Sequence, residues 1–161
     1  MSTSAVVKRE AGVVDRILAV QLSVAGCVQG VGLRPTIARL AAQLDLAGHV
    51  RNTPAGVVLV LEGSPAAIDA FVPALGAQLP PEARVRSIER TEIASRGRSG
   101  FQICAASVEG AVSAPIPLDM ATCPRCLADI AEPGNRRYGY AFTSCTDCGP
   151  RYSIIRELPF E

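Results

Sequence analysis

Four of the six cysteines fall within 26 residues, as Cys123-x2-Cys126, an eighteen-residue spacer, and Cys145-x2-Cys148. Two residues between cysteines let both thiolates of a pair reach one ion, and Gly149 lets the backbone turn beneath the second pair. Four sulfurs can then enclose zinc tetrahedrally. A closed four-thiolate site has no open position for water, so the role expected of zinc is structural, standing in for a core that some forty residues cannot build. Disulfide pairing is the alternative, and the paired spacing speaks for metal and a reducing compartment. A second group with chemical potential is Gly26-Cys27-Val28-Gln29-Gly30-Val31-Gly32-Leu33-Arg34. Its glycines let successive backbone N–H groups turn inward, and a helix beginning at its end adds partial positive charge. Arg34 can grip the same anion with a bidentate fork. The expected phosphate-binding residues are Gln29, Gly30, Val31, Gly32, Leu33 and Arg34.

The flanking patterns say what positions these groups. Leu18, Val20, Leu22 and Val24 alternate with polar or small residues, as in a half-buried strand. Pro35 suits a first helical turn, Ile37, Leu40, Ala41 and Leu44 follow at helical spacing, and Gly48 reads as the stop. His49 to Asn52 and Val57 to Glu62 read as strands joined by the turn Thr53-Pro54-Ala55-Gly56. Ser64-Pro65 opens a second helix with Ile68, Phe71, Val72 and Leu75 on its apolar face; Pro73 is expected to kink it or end it early. Val85 to Ile93 and Phe101 to Ala105 supply two further strands. The order predicts an α+β fold, a ferredoxin-like βαββαβ sandwich of four antiparallel strands with two helices on one face, followed by a small four-cysteine module. The expected divisions are a disordered tail at 1–16, a domain at 17–107, a linker at 108–118 rich in proline and small residues, and the finger at 119–161.

With 161 residues, 48% of them hydrophobic, there is enough material for one ordinary domain or two small ones. Sixteen Lys and Arg against fifteen Asp and Glu leave +1, no field to hold a polyanion. The finger carries five arginines against six carboxylates, so no nucleic acid is expected there. Tyr138, Tyr140 and Phe142 alternate as in a short strand, and packing around the metal is the expected use rather than base stacking. No apolar run exceeds Val57–Leu61, so no membrane span is expected. Lys8 and Arg9 with Val24-Ala25-Gly26-Cys27 imitate a lipoprotein signal, but Asp15 and Arg16 interrupt its core; a cytoplasmic location is expected. Cys27 reads as a small, partly buried filler, Cys104 as a core strand residue and His49 as an edge position. Arg84, Arg86, Arg90, Arg96 and Arg98, interleaved with Glu82, Glu89 and Glu92, read as a solvated face.

The loop resembles that of acylphosphatases, Gly-x-Val-Gln-Gly-Val-x-aromatic-Arg, at Gly26, Val28, Gln29, Gly30, Val31 and Arg34. A strand ending in Asn52 before the turn glycine Gly56 matches a second signature of that family. The resemblance spans roughly residues 17 to 105. It implies that Arg34 and the loop amides bind the substrate phosphate and that Asn52 positions the attacking water, both catalytic roles. No strong side-chain base is needed, because a dianionic phosphate can accept the water's proton. Leu33 stands where an aromatic is usual, and Ala55 where an acidic or amide residue often precedes the turn glycine. Around the cysteines, Pro117 to Leu127, Arg137 to Thr143 and Cys145 to Tyr152 are similar to the first zinc finger of the HypF carbamoyltransferases of nickel-iron hydrogenase maturation, and Arg34-Pro35 fits that family too. That resemblance implies hydrolysis of carbamoyl phosphate as the first step of carbamoyl transfer to a partner, HypE, with ATP used only in a further domain not represented here. It also implies a truncated piece, ending before a second finger and docking to downstream domains. The competing reading is a non-catalytic, anion-binding scaffold module with a structural zinc finger.

Overall fold

The computed structural model describes residues 17–115, 121–145, 147–149 and 156–159. The expected tail at 1–16, the linker's last residues 116–118 and the stretch 150–155 after the second cysteine pair lie outside the described residues.

Alternation makes the first strand: along β1 (Leu18–Cys27) Val20, Leu22 and Val24 are buried while Gln21 and Ser23 are half-buried. The chain then bends through 29–32 into α1 (Leu33–Gln43), which starts two residues ahead of Pro35 because Gly32, left-handed at φ 78°, supplies the N-cap. Gly48 is not the stop. Asp45 turns the chain at φ 53°, the Leu46 amide returns to the Ala41 carbonyl at 2.8 Å and the Asp45 amide to Ala42, the paired bonds that close a helix C-terminus. Gly48 instead lies inside β2 (Ala47–Thr53), where a Cβ would collide with the Val60 carbonyl. Pro54 and Ala55 turn the chain into β3 (Gly56–Gly63). The Ser64 side chain accepts from the Ala67 amide at 3.3 Å and starts α2 (Pro65–Ala77), which does not end at Pro73. Pro73 is exposed there, so the carbonyl it leaves without a helical donor is on the wet face. β4 (Arg84–Ile93), β5 (Phe101–Ile103) and the short α3 (Pro124–Ala131) complete the described elements.

The sheet runs β4-β1-β3-β2-β5. Its first four strands are antiparallel neighbours, as the sequence pattern implies, and the fifth adds an edge: β5 lies parallel to β2, pairing Phe101 to Ile103 with Gly48 to Val50. Both helices cover one sheet face. Between them Leu22, Val24, Val50, Leu59 and Leu61 meet Ile37, Leu40, Ile68, Phe71 and Leu75, all nearly inaccessible. Each such side chain contributes about 1.5–3 kcal/mol by leaving water. Register decides what is brought together: Val24 pairs with Val57, and Val57 pairs with Asn52. The end of β1, where the glycine loop departs, is thus in one row with Asn52.

Candidate active site and metal centre

Gly30 (φ 73°) and Gly32 (φ 78°) are both left-handed, a backbone that alternates handedness so that amides converge, and it opens directly onto the N-terminus of α1. Val31 and Leu33 are 1% exposed and anchor the loop in the core, so the leucine in place of an aromatic still fills a buried position. Arg34 is half-buried in the first turn of α1. Gln29 plays a part its place in the loop pattern did not suggest. Its side chain is buried, and its amide nitrogen donates to the carbonyls of Thr53 at 2.7 Å and Gly56 at 2.9 Å. The loop is thereby fastened to the turn that follows Asn52, itself 1% exposed on β2. Gly56 permits a close approach, since a Cβ there would meet the Val24 carbonyl. The Ala55 position is exposed and the turn closes without an acidic or amide residue there.

Cys27 ends β1 half-buried beside Arg84, and burial pushes its thiol above the usual value against the pull of Arg84. Cys104 is half-buried just after β5 and lies outside the core cluster, contrary to the sequence expectation. His49 is half-buried on β2, and burial, then Arg98 and Arg51, hold its imidazole below its ordinary pKa. At the far end of β3 the Glu62 carboxylate, 2% exposed, accepts from the amides of Arg96 and Arg98 at 3.2 Å and the Ser95 hydroxyl at 3.1 Å, and pairs with the Arg98 guanidinium at 3.2 Å. Burial alone would raise Glu62, but these hydrogen bonds and Arg98 outweigh it and leave it below the usual carboxylate range. The sequence carries no signal for this latch beyond an acidic residue closing a strand.

In the finger, Cys123 sits at the N-cap of α3 and Cys126 in its first turn, so one helix start aims two sulfurs the same way. All four sulfurs lie within 4.8 Å of one another. Neighbouring pairs are 3.6 Å (Cys123–Cys145), 3.8 Å (Cys145–Cys148) and 3.9 Å (Cys148–Cys126) apart. A tetrahedral ion with metal–sulfur bonds of ~2.3 Å requires sulfur separations of ~3.8 Å. The cluster therefore fits one tetrahedral metal. Burial pushes the Cys126 thiol up to about 12, whereas at Cys148 backbone hydrogen bonds from Cys123 and Cys145 outweigh burial and bring it down to about 6. Arg125 of the first knuckle pairs with Asp147 of the second, and Asp129 on α3 holds Arg137 at 3.1 Å and Asn135 at 3.0 Å. Tyr138, Tyr140 and Phe142 form no strand; each is more than half exposed, with the rings of Tyr140 and Phe142 edge to face at 6.1 Å. Without a partner strand the alternation has nothing to pair with, and the turns are set by backbone bonds such as Gly139 N–H to the Ile130 carbonyl, 3.0 Å.

No described helix is long and apolar enough to cross a membrane. Comparison with known proteins matches residues 20–103 to the acylphosphatase family and residues 122–155 to the HypF finger. The chain is 45% identical over 148 residues to carbamoyltransferase HypF2 of Cupriavidus necator, covering 91% of this chain and 18% of that protein. It is 46% identical over 79 residues to an acylphosphatase of Methylococcus capsulatus, covering 48% of this chain and 85% of that one. A crystal structure of full-length HypF in the phosphate- and nucleotide-bound form superposes with a TM-score of 0.81 at 35% identity, over 94% of this chain and 20% of that one. The chain thus spans under a fifth of the length of the HypF relative it matches. Taken with the loop, the sheet order and the sulfur cluster, these matches show that the chain belongs to the acylphosphatase family, in the form that continues into a HypF finger as in the N-terminal region of HypF carbamoyltransferases.

Proposed function

We propose that the domain at 17–107 hydrolyses an acyl phosphate, with carbamoyl phosphate as the physiological substrate, and that this is the first step of carbamoyl transfer to HypE in hydrogenase maturation. The observation that carries the reading is the convergent glycine loop at the start of α1, tied by Gln29 to the turn after Asn52. The loop amides and Arg34 bind the phosphate, and Asn52 holds a water in line with the scissile bond. Water oxygen attacks phosphorus, the bond from phosphorus to the acyl oxygen breaks, carbamate departs, and the water's proton passes to a phosphate oxygen. The chain's contribution is positioning and anion stabilisation, both available without a side-chain base. In the finger at 119–161, Cys123, Cys126, Cys145 and Cys148 hold one structural zinc, whose chemistry is to fix the fold. Substrates of the nucleotide class, and the ATP-using step, belong to the additional length of the longer relatives.

The test is phosphate release from carbamoyl phosphate and from a generic acyl phosphate. Arg34→Ala and Asn52→Ala should each lower kcat by about 10²-fold or more, the usual cost of one preorganised anion-stabilising or water-positioning group, while circular dichroism stays native. A folded, zinc-loaded wild type that releases no phosphate above background overturns the reading in favour of an anion-binding scaffold.

A further inference from the structure

Past Ile103 the chain leaves the regular sheet but stays beside β2. The Cys104 amide donates to the Val50 carbonyl at 2.8 Å and the Ser107 amide to the carbonyl of Asn52 itself at 2.9 Å. An excursion follows in which Val108 and Val112 are exposed. The chain then comes back: the amides of Ser113 and Ala114 both donate to the Pro54 carbonyl at 2.9 Å, and Ala114 is buried. The turn Thr53–Gly56 is therefore held from outside at three of its four carbonyls. The phosphate loop takes Thr53 and Gly56 through Gln29, and the returning segment takes Pro54. Composition alone marks 108–118 as a linker, and the acylphosphatase match stops at 103, yet the segment is bonded to the residue expected to hold the water.

We propose that Cys104–Ala114 is a positioning strap for the active site, fixing Asn52 and the adjoining turn through backbone hydrogen bonds while joining the catalytic domain to the finger. This rests on the hydrolytic reading given above. β2 extends beyond its pairing with β5, and a strand edge left bare would frame the site with unpaired carbonyls and a loosely held turn. The strap covers that edge at Val50, Asn52 and Pro54. Because the bonds to Val50, Asn52 and Pro54 are donated by main-chain N–H groups, they survive side-chain replacement along the strap, provided no proline removes a donor. It also ties Ser113 and Ala114, at the far side of the excursion, to the site's frame, so the segment does not behave as a free tether.

The experiment uses the full chain with Ser107→Pro and Ser113→Pro, which delete donors, against Ser107→Ala and Ser113→Ala, which keep them. In wild type, the amides of Ser107, Ser113 and Ala114 should exchange with solvent as slowly as those of β5; fast exchange there overturns the strap without reference to activity or to any variant's folding. In the proline variants, exchange across 52–56 should accelerate and kcat for carbamoyl phosphate should fall about tenfold, as expected for a misplacement on the ångström scale. Inhibition by inorganic phosphate, which reports the loop, should stay within twofold of wild type, and the alanine variants should match wild type throughout. Wild-type kcat in a proline variant whose 52–56 exchange is accelerated overturns the positioning role. An inactive wild type with protected strap amides would instead defeat the hydrolytic reading, so the two failures are told apart.

Discussion

Gln29 shows how much of the site can depend on a single uncharged side chain. Its amide nitrogen has two hydrogens, and the two carbonyls that receive them belong to the first and last residues of the turn, Thr53 and Gly56. Gln29→Glu preserves size but replaces those donors with oxygen facing oxygen in a buried place; a charge there without a donor costs more than a neutral group. We expect Gln29→Glu to destabilise the domain by about 2–4 kcal/mol in chemical denaturation, and Gln29→Ala by about 1–3 kcal/mol. Both should also lower kcat for acyl phosphate. A Gln29→Ala protein as stable as wild type would mean that the two bonds contribute nothing net. At this scale the sequence is only partly legible. Glycine spacing announces the left-handed turns at Gly30 and Gly32, and an arginine at a helix start announces an anion. A glutamine between them announces nothing about direction: its side chain goes to a turn more than twenty residues away, and only the β1–β3–β2 register reveals it. Glu62 was equally silent about direction, because its partners, the Arg96 and Arg98 amides, the Ser95 hydroxyl and the Arg98 guanidinium, sit in a polar loop without periodicity.

The segment 94–100 between β4 and β5 has little apolar burial and is held chiefly by the Glu62 carboxylate, so its order follows that group's charge. The carboxyl is held below its ordinary 4.5 in the folded protein. A depressed folded value means that the ionised form stabilises the fold at every pH above about 4.5, and that this contribution disappears as pH falls through the lower folded value. Glu62→Gln should cost about 1–3 kcal/mol at pH 7, where the carboxylate's charge-assisted bonds are intact. The stability gap between wild type and variant should then narrow as the pH falls below the ordinary 4.5 and through the depressed folded value. Denaturation midpoints at pH 7, 5, 4 and 3 read this directly; an equal gap at pH 3 and pH 7 would show that charge is not what holds the loop. Element boundaries were legible where periodicity or a cap was clean, as in β1 and the start of α2, and not where backbone bonds decide. α2 passes Pro73 because the proline is on the wet face, and Gly48 serves β2 because of the close approach of Val60 rather than ending α1. β5 was visible as a strand, but its parallel place beside β2 depends on the whole chain's path. The strap looked like a linker because small residues make both.

The two parts of the molecule are stabilised by different means, and metal removal should separate them. In the sandwich, Phe71, Leu22, Ile37, Leu40, Leu59 and their neighbours form a contiguous buried cluster. Among the described residues from 121 to 149, only Cys126, Thr143, Cys148 and Gly149 are buried, while Leu127, Tyr138, Tyr140 and Phe142 are more than half exposed. α3, eight residues long, packs substantially against no other described helix or strand and is far below the ~12–15 residues a helix needs to persist alone. With no apolar core among the described residues of the finger, a metal held by the four thiolates is what would order them, beside exposed ion pairs such as Arg125–Asp147, which add little. A strong chelator should therefore remove one zinc per chain, abolish the signal of α3 and open the finger to protease. The sandwich shares no core residue with the finger, and its melting temperature should change by no more than about 2 °C, well under the shift that a 1 kcal/mol effect on a domain of this size produces. Cys148→Ser should reproduce the chelated state at full zinc supply. A single transition that falls steeply on chelation would mean that the metal stabilises both parts through their junction, and the finger would then have to be counted as part of the sandwich's fold.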